Sequence, residues 1–480
     1  MDEAAAGAFA GGRYSLEGGM MPQSTSVVAP ASLAQLTYRG FLRALRPLAL
    51  PITFQQFVLV LSNAFDVVML AAVDQDALSA VSLATQVQFV FELFVLAFTI
   101  GASTLIAQYW GKGDAGAVGR IISFVMAYTI ALSTAFAVVA VAFPRPLMRL
   151  LAGDAALVGP GARYLSVTAV AFVMIGVSQV NLCLFKNTGR AATGTAISMV
   201  GVAVHIVVSG LLIFGVFGLP RLGVTGAAVS TVVSRGVECA WSCVAVRRNV
   251  SVAPRWRHMR RADRRLERDY WRYTLPVLGN EIAWGGGFAA YTIILGHLGS
   301  AAVAANSMAN IVKDLLVCLC AGLGSGGGIL IGGMMGRGEL DRARRAGGMF
   351  CRTAIVLGVA IGCVIVALRP FVLRMTTLDA EATGYLSGML LVCAYYVVGK
   401  SINSTTVGGL FPAGGDSRFG LACDMVTIWL IVIPFGLLAA FVWHWPVMAV
   451  YVLLNLDEMI KLPAVFAHYC TYRWLHDLTR

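Results

Sequence analysis

Charge is what this chain has least of: Asp, Glu, Lys and Arg make up 12% of its 480 residues, about half the share of a soluble domain. That scarcity excludes a soluble globular protein, because 58% of the residues are hydrophobic and a soluble core cannot absorb so much apolar surface. A bilayer can, since a spanning helix needs about 20 mainly apolar residues and satisfies its backbone polar groups internally. After residue 46 no polar stretch is long enough to fold as a soluble domain, so any chemistry has to sit in the membrane. The ten cysteines are scattered through apolar segments with no CxxC pair and no neighbouring His cluster, which leaves no disulfide framework and no metal site to expect. No Ser-His-Asp, paired-carboxylate or metal-ligand spacing is present. The glycine-rich GLGSGGGILIGGMMGRG at 322–338 has no strand before it and no Lys-Ser/Thr after it, so it does not read as a phosphate loop. The start, MDEAAAGAFAGGRYSLEGGMMPQSTS, lacks the basic-then-apolar order of a cleaved signal, and residues 1–45 read as a disordered cytoplasmic tail.

What is present is a series of apolar runs of spanning length. They predict an all-α polytopic membrane protein with twelve transmembrane helices. Six fall in an N-terminal bundle over 46–246 and six in a C-terminal bundle over 273–470, with a basic cytoplasmic linker at 247–272 and a cytoplasmic tail at 471–480. The net charge of +12 would suggest nucleic acid in a soluble protein, but here the Lys and Arg lie mostly in short loops. Taking loops alternately, 25 fall on one side and 6 on the other, so the positive-inside rule puts both termini in the cytoplasm. The linker alone holds ten Arg and is read as lying on anionic lipid headgroups.

The two halves repeat. Leu50-Pro51 matches Leu275-Pro276, Ala80-Val81-Ser82 matches Ala305-Asn306-Ser307, and GASTLIAQYWGKGD at 101–114 overlays GGGILIGGMMGRGE at 326–339, all at a spacing of 225. Leu184-Phe185 and Gly189 match Leu410-Phe411 and Gly415 at 226. With six spans each, both halves enter the membrane from the same side. They are therefore related by a pseudo-two-fold along the membrane normal, an arrangement found in secondary transporters with a site between the halves.

An ionisable group inside a span is costly and is a functional candidate unless a partner explains it. Asp66 in LSNAFDVVMLA is the first, with Ser62 and Asn63 on the same helical face and Pro47 and Pro51 earlier in the helix, where a bend is allowed. Its counterpart in the second half is Tyr291, so any coupling chemistry is asymmetric. Glu281, in LPVLGNEIAWGGG, has Gln56 as its counterpart. Asn306, Asn310 and Asp314 make a polar stripe down the eighth span beside Lys313, and Lys400 with Asn403 make a similar pair in the tenth. Asp457, Glu458 and Lys461 are spaced for local pairing. His205 precedes Ser209 by one turn in the fifth span, and its charge can switch near neutral pH. Glu92 has no evident partner.

The ordered series LALP…NAFDVVM, ALSAVSLATQ, GASTLIAQYWGKGD, FGLPRLGVTGAAVSTVVSR, LPVLGNEIAW and FPAGGDSRFG followed by WLIVIPFG resembles the multidrug and toxic compound extrusion (MATE) family, over roughly residues 45–475. The resemblance implies two bundles around a central cavity in a bacterial plasma membrane. It also implies export of cationic or amphipathic organic compounds in exchange for H⁺ or Na⁺, with no enzymatic activity and no cofactor beyond the coupling ion. A monomer in the lipid bilayer is expected, handling small molecules and not nucleic acid. Carried over by position, Asp66 stands where the family's first-helix acid stands, and Glu281 matches the acid of an LP..NE..W motif found in one bacterial subgroup. Where the fifth helix of members often shows Asn and then Asn or Asp, this chain has His205 and Ser209, which favours H⁺ over Na⁺; Ser230 and Thr231 keep hydroxyls that could complete a cation site. The expected coupling set is thus Asp66, Glu281, His205, Ser209 and Thr231. The expected substrate cavity includes Asn63, Asn306, Asn310, Asp314, Lys400 and Asn403. Two other readings are a flippase or exporter of lipid-linked sugars, suggested by the cations Arg235, Lys313 and Lys400, and a membrane-embedded lipid-modifying enzyme, which lacks a loop constellation to support it.

Overall fold

The computed structural model of the protein describes residues 36–71, 75–151, 155–215, 218, 220–249, 252–254, 263–376 and 378–479. Among them every regular element is helical. The first-half spans are α1 (Tyr38–Ala71), α2 (Gln75–Lys112), α3 (Ala115–Ala142), α4 (Ala155–Asn187), α5 (Ala191–Phe214) and α6 (Val224–Asn249). The second-half spans are α7 (Arg264–Gly296), α8 (Ser300–Gly336), α9 (Leu340–Met375), α10 (Ala380–Ala413), α11 (Ser417–Val442) and α12, the last in three pieces, Val447–Leu454, Asp457–Ile460 and Leu462–Cys470. A short helix, Pro144–Leu151, joins α3 to α4. The outward faces are apolar, with Leu50, Val138, Val356, Leu430 and Phe466 among the exposed side chains. That is costly in water and favourable in lipid.

Among the described residues, nine helices are long and apolar enough to cross a membrane on length and composition alone. The three that complete the twelve are α6, α7 and α12. Charge lowers the hydropathy of α6, which carries Arg235 and Glu238, and of α7, which opens RRLERDYWR and holds Glu281. α12 is broken beside Asp457 and Lys461, so no single piece is long enough. Helices also extend into segments read as tail and linker: α1 begins at Tyr38, and α7 starts at Arg264 with the Asp263 side chain accepting from the Arg265 N–H. The expected tail up to residue 35 and the linker residues 250–251 and 255–262 lie outside the described residues.

The repeat found in the letters reappears in the packing. α1 packs on α8 and α2 on α7, contacts that exchange when α1 is mapped on α7 and α2 on α8. Inside the halves, α4 packs against α2, α3 and α6, and α10 packs against α8, α9 and α12. The pseudo-axis passes between α2 and α8, where the motif pair 101–114 and 326–339 lies. A Cβ on Gly111 would stand 2.3 Å from the Gly333 carbonyl oxygen, and one on its repeat equivalent Gly336 would stand 2.0 Å from that of Gln108. Gln108 and Gly333 are themselves equivalents. The halves therefore close on each other, backbone against backbone, at the end of the molecule that carries the basic loops.

The last residues seal the same end. Trp474 is fully buried, stacked on Tyr469 with ring centroids 5.7 Å apart. Gln108 donates to the carbonyls of Ala413 (2.7 Å) and His476 (3.1 Å) and accepts from the Leu478 N–H (2.6 Å).

Candidate functional site

In the first half, α1 and α5 lie side by side and bring together two residues 139 apart in sequence. His205 Nε2 is 2.8 Å from Asp66 Oδ1 and 3.0 Å from Oδ2. The imidazole is nearly buried, with 9% of its side chain exposed against 35% for Asp66, so the pair is open on the carboxylate side. His205 Nδ1 is buried without a partner. An imidazolium would leave an unsatisfied N–H there at a cost of about 1–3 kcal/mol. The arrangement therefore fits a neutral imidazole donating from Nε2 to an ionised Asp66.

The hydroxyls expected to join this pair do not bond to it. Ser209, one turn from His205, is hydrogen bonded to Ser230 at 2.6 Å, and Ser230 and Thr231 both donate back to the Ala227 carbonyl. Asn63 is exposed. About two turns along α5 and α6 lies a second polar layer. Gln55 Nε2 donates to Ser198 Oγ (2.7 Å), Ser198 donates to Glu238 Oε1 (3.1 Å), and Arg235 pairs with Glu238 Oε2 (2.9 Å). Glu238 is 2% exposed, and its charge is met from two sides, as buried charges require. Glu92 has a local partner after all, accepting from Gln88 one turn back at 2.8 Å.

The second half builds a denser network. Lys400 and Asn403 on α10 converge on Glu458 of α12, at 3.1 Å to Oε1 and 2.7 Å to Oε2. Lys461 is held by Asp424 of α11 at 2.7 Å, closer than by its own neighbours Glu458 (3.4 Å) and Asp457 (3.9 Å). Of the triplet spaced for local pairing, Glu458 and Lys461 thus find their shortest contacts across helices, while Asp457 pairs locally with Lys461. The break in α12 permits this by turning those side chains inward. Asp424 was not singled out in the sequence, although an acid in the run LACDMVTIWLIV is a signal of the same kind as Asp66. It lies at the junction where α11 passes into a π-helical stretch, Met425–Val432, a distortion common at functional sites.

Beside this network is a cavity of about 280 Å³. Of the residues expected in a substrate cavity, Asn306, Asn310, Asp314 and Lys400 line it; Asn403 and Asn63 do not. Lys313 and Asp457 line it as well, together with Phe89, Trp284, Phe288, Tyr291, Tyr396 and Tyr451. Lys400 stands over the Trp284 ring, 5.2 Å from its centroid. Glu281 is half-buried, with no hydrogen bond or ion pair among the described residues, and is not part of the lining. Among the described residues no group of three or more His, Cys, Asp or Glu side chains is placed to hold a metal ion.

Comparison with known proteins decides what this architecture is. The MatE family model matches residues 51–211 and 276–466, once in each half of the repeat. The chain belongs to the MatE family of multidrug and toxic compound extrusion transporters. Among its curated relatives, a probable multidrug resistance protein NorM of Agrobacterium fabrum is 24% identical over 412 residues, covering 83% of this chain and 86% of the relative. Multidrug resistance protein PmpM of Pseudomonas aeruginosa is 22% identical over 406 residues, covering 84% of each. Among solved structures, a MOP superfamily transporter of Pyrococcus furiosus superposes with a TM-score of 0.83 at 17% identity, over 90% of this chain and 96% of that one. A point mutant of the Vibrio cholerae MATE transporter VcmN superposes with a TM-score of 0.82 at 16% identity, over 90% and 97%. This MATE protein is accordingly a multi-pass membrane transporter of twelve helices, and not an enzyme.

Proposed function

We propose that this MATE-family protein exports cationic or amphipathic organic compounds in exchange for protons, and that the proton is carried by the Asp66–His205 pair. The observation that supports this most is the geometry of the pair, in which both carboxylate oxygens lie within hydrogen-bonding distance of one imidazole nitrogen. A sodium ion at Asp66 would have to displace the imidazole and gather further oxygen ligands. The hydroxyls of Ser209, Ser230 and Thr231, which could have completed a cation site, are already engaged with one another or with Ala227. A proton needs none of this. Adding one to a neutral His205 and an ionised Asp66 removes the net negative charge that faces water on the α1 side. A change in charge at the α1–α5 contact can then alter substrate affinity between two conformations, which any coupling requires. The second half supports the same asymmetry, because Lys400 and Lys461 already act as tethered cations for Glu458 and Asp424.

The curated relatives carry multidrug resistance names, which supports organic compounds as substrates. The distribution of Lys and Arg, 25 against 6, supports placing both termini and the closed α2–α8 end in the cytoplasm, and we take the protein to be a monomer in a bacterial plasma membrane.

The test is flux of a reference cation, ethidium, in proteoliposomes under an imposed pH gradient or a Na⁺ gradient at fixed pH. The pH gradient alone is expected to drive transport. Asp66→Asn is expected to keep its elution profile and melting temperature but lose gradient-driven flux. Flux driven by Na⁺ with no dependence on pH would overturn the proton reading. Full coupled flux in Asp66→Asn would remove the pair from the mechanism.

A further inference from the structure

One pair of thiols belongs neither to the Asp66–His205 site nor to the second-half cavity. Cys239 and Cys243, in the run CAWSC of α6, are the only two cysteines four residues apart in the sequence, a spacing that escapes a search for CxxC. It puts both on one face of the helix, with Cβ atoms about 5–6 Å apart. Both are free and half-buried, and the two thiols are within hydrogen-bonding reach of each other. Asn181 of α4, itself 2% exposed, reaches them across the α4–α6 seam. Its Nδ2 donates to Ser242 Oγ (3.1 Å) and to Cys243 Sγ (3.5 Å), and Ser242 donates to the Cys239 carbonyl (2.9 Å). A buried amide therefore fixes where the Cys243 sulfur points, as outer-shell donors do for metal ligands. Arg247, one turn further along the same helix, brings positive charge to bear on Cys243.

From this arrangement we infer that Cys239 and Cys243 bind one soft monovalent cation, copper(I) or silver(I), between their two sulfurs. Thiolate ligands select soft ions of this kind. Two opposed sulfurs satisfy such an ion, whereas structural zinc takes four ligands, and among the described residues no cluster supplies even three. A disulfide is the competing use of the pair. It needs Cβ atoms about 3.5–4.5 Å apart, closer than consecutive turns of a helix bring them, whereas an ion between the sulfurs lengthens the bridge by one bond. Binding forms two metal–sulfur bonds and breaks two S–H bonds. Two thiols and one M⁺ give [S–M–S]⁻ and two protons, with no change of oxidation state. The negative charge that remains lies one turn from Arg247, which offsets it.

This site is independent of the ion that drives transport. For the test, the full-length protein in nanodiscs is dialysed to equilibrium against buffered silver nitrate, free of chloride and of added thiol, and bound silver is counted by elemental analysis. The tightest site is expected to hold one Ag⁺ per protein and to be unchanged in Cys470→Ser, which removes an exposed cysteine. Cys239→Ser and Cys243→Ser are each expected to weaken it by about tenfold or more, because each removes one of two ligand bonds. Cys239→Met keeps a soft sulfur in place and is expected to recover part of the affinity, which separates loss of a ligand from misfolding. Each ion is expected to displace two protons, so the apparent affinity of the pair falls about a hundredfold per unit of falling pH while both thiols are protonated, against about tenfold for a solitary thiol. Silver affinity that survives both serine variants, or one proton released per ion in the wild type, would overturn the proposal. So would a disulfide between Cys239 and Cys243 formed readily under diamide, which would make the pair a redox couple.

Discussion

At the scale of single residues, the protein handles its intramembrane charges in two ways. In the first half Asp66 is met by a single ring and is 35% exposed, while Glu238 is buried against Arg235. In the second half Asp424, Glu458, Lys400 and Lys461 are locked together, with Glu458 only 1% exposed and Lys461 4%. We propose that a carboxylate placed like Asp66 trades a proton at little structural cost, whereas the buried, paired groups serve to hold helices together. Removing one member of a buried network leaves an uncompensated charge, at a cost of about 3–5 kcal/mol. Lys461→Met is therefore expected to lower the melting temperature of the purified protein markedly. Adding Asp424→Asn, which removes the carboxylate left stranded, is expected to recover part of the loss, a non-additivity that a double-mutant cycle reads directly. A Lys461→Met protein that melts like the wild type would show the network to be dispensable. These residues were only partly legible in the sequence. Asp66, His205, Lys400 and Glu458 were visible as ionisable groups in apolar runs, but one sequence carries no contact information. It could not show that Asp66 and His205, 139 residues apart, share a hydrogen bond, or that Lys461 prefers Asp424 to its own turn. Gln55 and Ser198 were invisible for a different reason: a polar side chain without charge is unremarkable in a span until its buried partner, here Glu238, is known.

At the scale of elements, helix count was readable because hydropathy over about 20 residues is a strong signal. Irregularity within helices was not. The break in α12 and the π-helical stretches Thr406–Leu410, Met425–Val432 and Leu438–Val442 arise from packing and from side chains competing for backbone groups, which leave little trace in composition. α6, α7 and α12, the three spans that length and composition alone do not mark, carry Glu238, Glu281 and Glu458. Charge makes a span hard to recognise and useful at once. The repeat has a further consequence here. At its 226-residue spacing Asp424 is the counterpart of Ser198, so one scaffold position holds a hydroxyl beside an acid in the first half and an acid beside a lysine in the second. The element contact most sensitive to a small change is α2 on α8. Gly336→Val would drive a side chain into the Gln108 carbonyl, 2.0 Å from the new Cβ, which backbone cannot yield cheaply. Spin labels at Lys112 and Arg337, themselves repeat equivalents, in a background with the ten native cysteines replaced, are expected to report a longer distance in Gly336→Val than in wild type. An unchanged distance would mean that the helices absorb the side chain without parting.

At the scale of the whole molecule, alternating access requires that the closure seen at the α2–α8 end be reversible, so its stabilising contacts must be few and separable. The C-terminal segment supplies several of them. Trp474 is fully buried between the second-half glycines Gly347 and Gly414, while Gln108 from the first half bonds to His476 and Leu478. The segment thus belongs to one half and grips the other. Deleting residues 472–480 removes a buried indole and two hydrogen bonds from the closed end. If those contacts exist in only one of the two states, the deletion shifts the equilibrium towards the other. Truncating a buried large aromatic costs about 3–5 kcal/mol, and 1.4 kcal/mol is a factor of ten in an equilibrium constant, so a shift of at least about a hundredfold is expected. The Lys112–Arg337 label pair would then report mainly the long distance in the truncated protein without added substrate or gradient. Ethidium flux should slow, because a transporter held in one state cannot complete a cycle. A Gln108→Leu change, which keeps Trp474 in place and removes only the hydrogen bonds across the halves, is expected to produce a smaller shift in the same direction. Should the truncated protein keep the short distance and full flux, the segment would be a surface ornament, and closure would rest on the glycine contact of α2 and α8 alone.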